Sequence, residues 1–120
     1  LQAMNTGHDG SMTTLHANNP ADVVLRLETI AQDNPDIRLP VESIRQQIVS
    51  AVDVVVQLGW VNKRRAVVEI AEVVGYDAED AEVRIVSLFR RGRDGRLAPT
   101  GHLPTFLPAL GDAGLVPDSV

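Results

Sequence analysis

The chain has 120 residues with a formal net charge of −5, 44% apolar and 22% charged residues, and no cysteine. That is enough for one domain with a modest core, and it excludes general disorder, disulfides and thiolate metal or redox sites. The acidic balance argues against a whole-surface nucleic-acid binder, and four aromatic residues (Trp60, Tyr76, Phe89, Phe106) are too few for a base-stacking platform. No apolar run approaches the roughly 18 residues of a membrane-spanning helix.

In chain order, residues 1–4 read as the last turn of a helix closed by Asn5-Thr6-Gly7. The chain opens on Leu-Gln-Ala-Met, with no initiator Met or signal-peptide pattern, so we expect a fragment of a longer protein with a domain boundary upstream of Leu1. Residues 12–16, Met-Thr-Thr-Leu-His, are rich in β-branched residues between Gly10 and Asn18-Asn19-Pro20, which predicts a short buried strand. Asn19 as N-cap, Pro20 at the first position and Asp22 in the first turn predict a helix to about Gln32, with Val23, Val24, Leu27, Ile30 and Ala31 at helical spacing. Asn34-Pro35 marks a turn, and a second helix is expected from Pro40 with Val41, Ile44, Ile48, Val49 and Val52 on one face.

Asp53 breaks the helical pattern, and residues 54–58 predict a buried strand. Asn62-Lys63 is a two-residue hairpin turn into a long strand at 65–74, stopped by Gly75. A further strand is expected at 82–89, then a basic loop from Arg90 to Arg96, then a short helix from Thr105 as N-cap to about Ala113 with Gly114 as its stop. A lone strand followed by helices predicts an α/β chain with a parallel sheet seen partway through, and a three-stranded antiparallel meander appended at its edge.

The chemistry concentrates in residues 6–18, T-G-H-D-G-S-M-T-T-L-H-A-N. A Gly-flanked loop bears His8, Asp9 and Ser11, and the predicted strand delivers His16 at its C-terminal end, where ligands of open α/β sheets bind. His16 reads equally as a satisfied core histidine. Arg26 and Arg45 read as solvated helix-surface arginines or as contacts across a subunit boundary, since planar bidentate geometry suits phosphate and carboxylate. The Arg90, Arg91, Arg93, Arg96 cluster reads as a soluble hairpin tip or as a contact to anionic headgroups or an acidic partner. His8, Asp9 and His16 lack metal-ligand spacing, with His102 isolated, and Ser11 has no nucleophile elbow around it.

The run A-M-N-T-G-H-D-G-S-M-T-T-L-H-A-N-N-P-A-D-V-V-L-R-L (3–27) resembles the histidine box of the secretion ATPase superfamily, the ring-shaped motors of type II and type IV secretion and of type IV and Flp pili. The resemblance continues through I-R-Q-Q-I-V-S-A-V-D-V-V-V-Q (44–57), R-R-A-V-V-E-I-A-E-V-V-G (64–75) and the L-F-R-R and P-T-G-H-L-P-T-F segments. Together these look like the tight-adherence (Flp) pilus, CpaF-type assembly ATPases.

The resemblance implies the C-terminal part of a RecA-like P-loop NTPase core, with residues 1–58 as core segment and 59–120 as meander and C-terminal helix. It implies a hexameric ATP hydrolase using ATP and Mg²⁺, cytoplasmic and peripheral to the inner face of the cell membrane, working on inner-membrane platform proteins and not on nucleic acid. By that resemblance His8 and His16 are the catalytic box histidines, and Thr13 and Thr14 on the strand between them face the nucleotide; a neutral imidazole or a Thr hydroxyl there would position phosphate or water. No G-x-x-x-x-G-K-[ST] loop occurs in the chain, and the Walker A and Walker B motifs are expected upstream. The isolated chain is therefore expected to be inactive. The rival reading is a non-enzymatic interaction module with no hydrolysis of its own.

Overall fold

A computed structural model describes residues 10–33 and 39–114. The elements in chain order are α1 (Pro20–Gln32), α2 (Val41–Ala51), β1 (Val54–Val61), β2 (Arg64–Asp77), β3 (Glu82–Arg91), β4 (Leu97–Pro99) and α3 (Leu107–Asp112). The strands form one antiparallel meander in the order β1-β2-β3-β4.

Both long helices form where their end signals place them. Asn19 Oδ1 accepts from the Asp22 N–H at 2.9 Å, while Asp22 Oδ2 accepts from the Asn18 N–H at 3.0 Å, so the two side chains satisfy reciprocal donors at the start of α1. Pro40 is the N-cap of α2, and the chain leaves that helix extended at Val52. The two helices pack on each other and on one face of the sheet. Ile44 and Ile48, one turn apart, are fully buried, as is Ala71 of β2, with Val55 and Val73 nearly so.

The first hairpin turns through Asn62 and Lys63 at φ of 50° and 65°, the doubly left-handed geometry that matches the twist of the strands it joins. Past the turn, a register shift between Gln57 and Leu58 leaves Val68 as the extra residue on β2. A Cβ at Gly59 would meet Val68 Cγ1 at 3.0 Å, so any larger residue there would press the bulged valine side chain aside.

Several expectations are corrected. Residues 11–17 form no regular structure, and Met12, Thr13, Thr14 and His16 are exposed where a buried strand was expected. β-branched composition makes a strand possible, but the ladder needs a neighbouring backbone, and no described strand pairs with this segment. The expected antiparallel meander is present, and every described strand pair belongs to it. β1 is longer than expected and only half buried, because its even-numbered residues Val54, Val56, Leu58 and Trp60 face away from the helices.

β2 runs through Gly75 to Asp77, because the register shift between Val73 and Gly75 accommodates the glycine inside the ladder. Arg90 and Arg91 belong to β3, the loop starts at Gly92, and the short strand β4 was not foreseen. The expected helix end at 1–4, the Asn5-Thr6-Gly7 turn, His8, Asp9 and the Asn34-Pro35 turn lie outside the described residues.

Ile48→Ala should lower the unfolding free energy by roughly 2–5 kcal/mol, because a fully buried branched side chain is lost under a helix that cannot settle into the cavity. Urea denaturation followed by circular dichroism, with an unchanged slope, is the check.

Candidate functional site

Gly10, at φ +80°, begins an open segment that runs to the cap of α1. Within it Thr13, Thr14 and His16 all present exposed side chains, three polar groups within four residues. The segment is fastened at its C-terminal end: Gln57 Nε2, from the middle of β1, donates to the Ala17 carbonyl at 3.0 Å, and the reciprocal cap holds Asn18 and Asn19. His16 therefore sits one residue before an anchored carbonyl, and its side chain is exposed among the described residues. His8, the other expected box histidine, lies outside the described residues.

The two helix arginines part ways. Arg26 is exposed and lies 3.9 Å from Asp22, a surface pair worth little. Arg45 is not the solvated arginine its sequence position suggests. Its Nε donates to Glu28 Oε1 at 2.6 Å and its Nη1 to the Ala81 carbonyl at 2.5 Å, so one guanidinium ties α1, α2 and the β2–β3 turn together. The Glu28 hydrogen bond, with Tyr76 and Glu82 adding, holds Arg45 above its usual pKa against the cost of burial. Glu28 is itself buried, so the pair is a structural contact between helices.

A third cluster escaped the sequence reading. Glu72 is 1% exposed in the centre of β2, on the face opposite the helices, across from Val54 and Val86. Its Oε1 accepts the Thr105 backbone N–H at 2.8 Å and also the Thr105 hydroxyl. Its Oε2 lies 3.5 Å from His102 Nε2, and both of those atoms are buried without a hydrogen-bond partner among the described residues. Thr105 thus does not cap α3, which begins at Leu107; it anchors the C-terminal segment to the sheet. The available signal was a carboxylate interrupting the apolar run at 70–74, the kind of residue that is buried only with partners.

Among the described residues no group of three His, Asp or Glu side chains is arranged to hold a metal ion. Nor does the chain carry a phosphate-cradling loop. The residues before α1 form an exposed His-Thr-Thr edge, joined to β1 through Gln57 and to α1 through the reciprocal cap.

The described residues thus present an exposed His-Thr-Thr segment leading into a capped helix, followed by a second helix and an antiparallel meander. Residues 1–87 match the type II/IV secretion system protein family, and the chain belongs to that family. It is 32% identical over 77 residues to the conjugal transfer protein TrbB of Rhizobium radiobacter, a match covering 63% of this chain and 22% of that protein. It is 29% identical over 93 residues to a putative conjugal transfer protein of Mycobacterium tuberculosis, found in two strains, covering 78% of this chain and 25% of that one. The matched stretch is thus a quarter or less of each relative's length.

Two outcomes follow from this geometry. Glu72→Ala should leave the strand signal intact while the amide of Thr105 loses its hydrogen-exchange protection, read by mass spectrometry, because the segment's polar anchor is gone. Asp77, held below the usual carboxylate range by the Arg84 guanidinium and then by the Asp80 N–H, contributes stability that is present above its unfolded value of about 4 and lost as pH falls through the lower folded value. Asp77→Asn should flatten that acid limb of the stability profile, measured by thermal unfolding across pH.

Proposed function

We propose that this chain is the C-terminal part of a secretion-system motor ATPase: a RecA-like P-loop NTPase whose hexameric ring couples ATP hydrolysis to pilus assembly or protein export. Its place is the cytoplasmic side of the inner membrane, against platform proteins. The observation that carries the reading is the family match over residues 1–87, with its His16, Thr13 and Thr14 on an exposed edge. ATP and Mg²⁺ belong to motifs the chain does not contain. This chain contributes His16 and the two threonines as polar groups that position what is held elsewhere, with His8 assigned the same role by resemblance. In the assembled motor residues 12–16 gain a backbone neighbour and become the strand that their composition predicts.

Two cargoes are consistent with the family. The tight-adherence pilus assembly reading is supported by the segments at 44–57, 64–75 and 99–106. A conjugal-transfer role is favoured by the names of the relatives matched.

In the full-length protein, His16→Ala should reduce ATP turnover on the order of a hundredfold, the usual size of losing one positioned polar group, while nucleotide affinity changes little. Steady-state hydrolysis and fluorescent-nucleotide titration, on variants shown to assemble as wild type, make the comparison. A wild-type rate would return His16 to a surface residue and leave the non-enzymatic interaction module as the better reading.

A further inference from the structure

The charges of this acidic chain are sorted along the strands. Of its eleven Lys and Arg residues, seven flank two neighbouring turns, at 63–65 and 90–96. Lys63, Arg64 and Arg65 surround the β1–β2 turn, and four arginines lie between positions 90 and 96 at the β3–β4 turn. The antiparallel order puts both turns at the same end of the sheet, where Trp60, Val61 and Asn62 share a shallow cleft of about 370 Å³ with Arg91–Gly95. Arg91 is occupied internally, by the Val67 and Gly95 carbonyls, and shapes the tip. Lys63, Arg64, Arg65, Arg93 and Arg96 are exposed, and Asp94 spends an oxygen on the Arg96 N–H. The opposite end of the sheet, the β2–β3 turn, carries Asp77, Glu79, Asp80 and Glu82.

Trp60 completes the tip. It is 70% exposed, with the Arg65 guanidinium 5.4 Å from its ring centroid, and it ends the exposed Val54, Val56, Leu58 row of β1. An indole beside several cations suits the headgroup level of a bilayer, where one edge of the ring is apolar and the N–H stays wet.

We propose that this end of the sheet is a docking tip for an anionic lipid surface. A charged plane fits the distribution better than a nucleic-acid duplex does. β2 spans about 46 Å at ~3.3 Å per residue, several times the ~8 Å screening length, so the acidic turn neither cancels the attraction at the tip nor is drawn to the plane. The plane orients the domain end-on, with the acidic turn away from it. A duplex instead needs cations spread along a face, and here the cluster sits at one end, Arg84 near the other being paired with Asp77. The inference deepens the membrane-side location proposed above. Its test reads lipid binding by this chain alone, so failure would leave the motor reading standing.

Trp60 is the only tryptophan, so its fluorescence reports on the tip directly. The purified chain is mixed with phosphatidylcholine vesicles, with or without phosphatidylglycerol, and followed by Trp60 emission and by flotation. The expected result is a blue shift and flotation with the anionic vesicles only, both lost on raising salt. Neutralising two tip cations, Arg93→Gln with Arg96→Gln, should weaken partitioning about 25-fold, from roughly fivefold for each charge. Arg26→Gln, a surface control elsewhere in the fold, should leave it unchanged. Equal binding to both vesicle types, flotation without a Trp60 shift, or equal losses in the Arg26 control would each overturn the proposal. Displacement from vesicles by a lower concentration of duplex DNA would overturn it in favour of a nucleic-acid contact.

Discussion

The molecule depends on the seating of one helix on one strand. Ile44 and Ile48 of α2 are the largest apolar side chains wholly removed from solvent, and the small Ala71 in the middle of β2 is buried with them. A four-stranded meander has no stability to spare without a covered face, and this is the contact that covers it. Everything else in the helix layer is referred to α2: α1 packs alongside it, and Arg45 reaches from it to Glu28 on one side and to the Ala81 carbonyl on the other. Burying that guanidinium and carboxylate costs desolvation which their pairing recovers only in part, so the ion pair reads as a registration device between helices more than as a source of stability.

Among the described residues, the second face of the sheet is closed around Glu72. A carboxylate at the centre of a strand must find donors, and the N–H and hydroxyl of Thr105 supply two to its Oε1. Away from Glu72 the face stays open along β1, where Val54, Val56, Leu58 and Trp60 alternate with the covered residues. Apolar surface is thus distributed across the sheet, and charge is distributed along it, acid at the β2–β3 turn and base at the other two turns. The His16 segment joins this frame at the middle of β1 through Gln57, between the two charged ends.

The chain belongs to the type II/IV secretion system protein family. Thr13, Thr14 and His16 are polar, exposed and braced only from one side. A loop whose partners lie in another part of a larger protein would look the same, and the relatives matched here are about four times as long as the stretch they share.

The sequence by itself determined the elements whose signals are local. α1 is specified by Asn19, Pro20 and Asp22 within one turn, α2 by Ile44 and Ile48 at helical spacing, and the first hairpin by Asn62 at its left-handed turn. What only the tertiary structure decided are the features that need two distant segments at once. Residues 12–16 have the composition of a strand, yet a ladder requires a second backbone, and none of the described strands offers one. Arg45 and Glu28 are 17 positions apart, Glu72 and Thr105 are 33 apart, and nothing local in either sequence context announces the other. The alternation of β1 shows two faces but not which one the helices would cover. That choice was made by volume and charge together: Ala71 leaves room for α2 on one side of β2, while Glu72, its neighbour on the other side, accepts only a segment that brings hydrogen-bond donors.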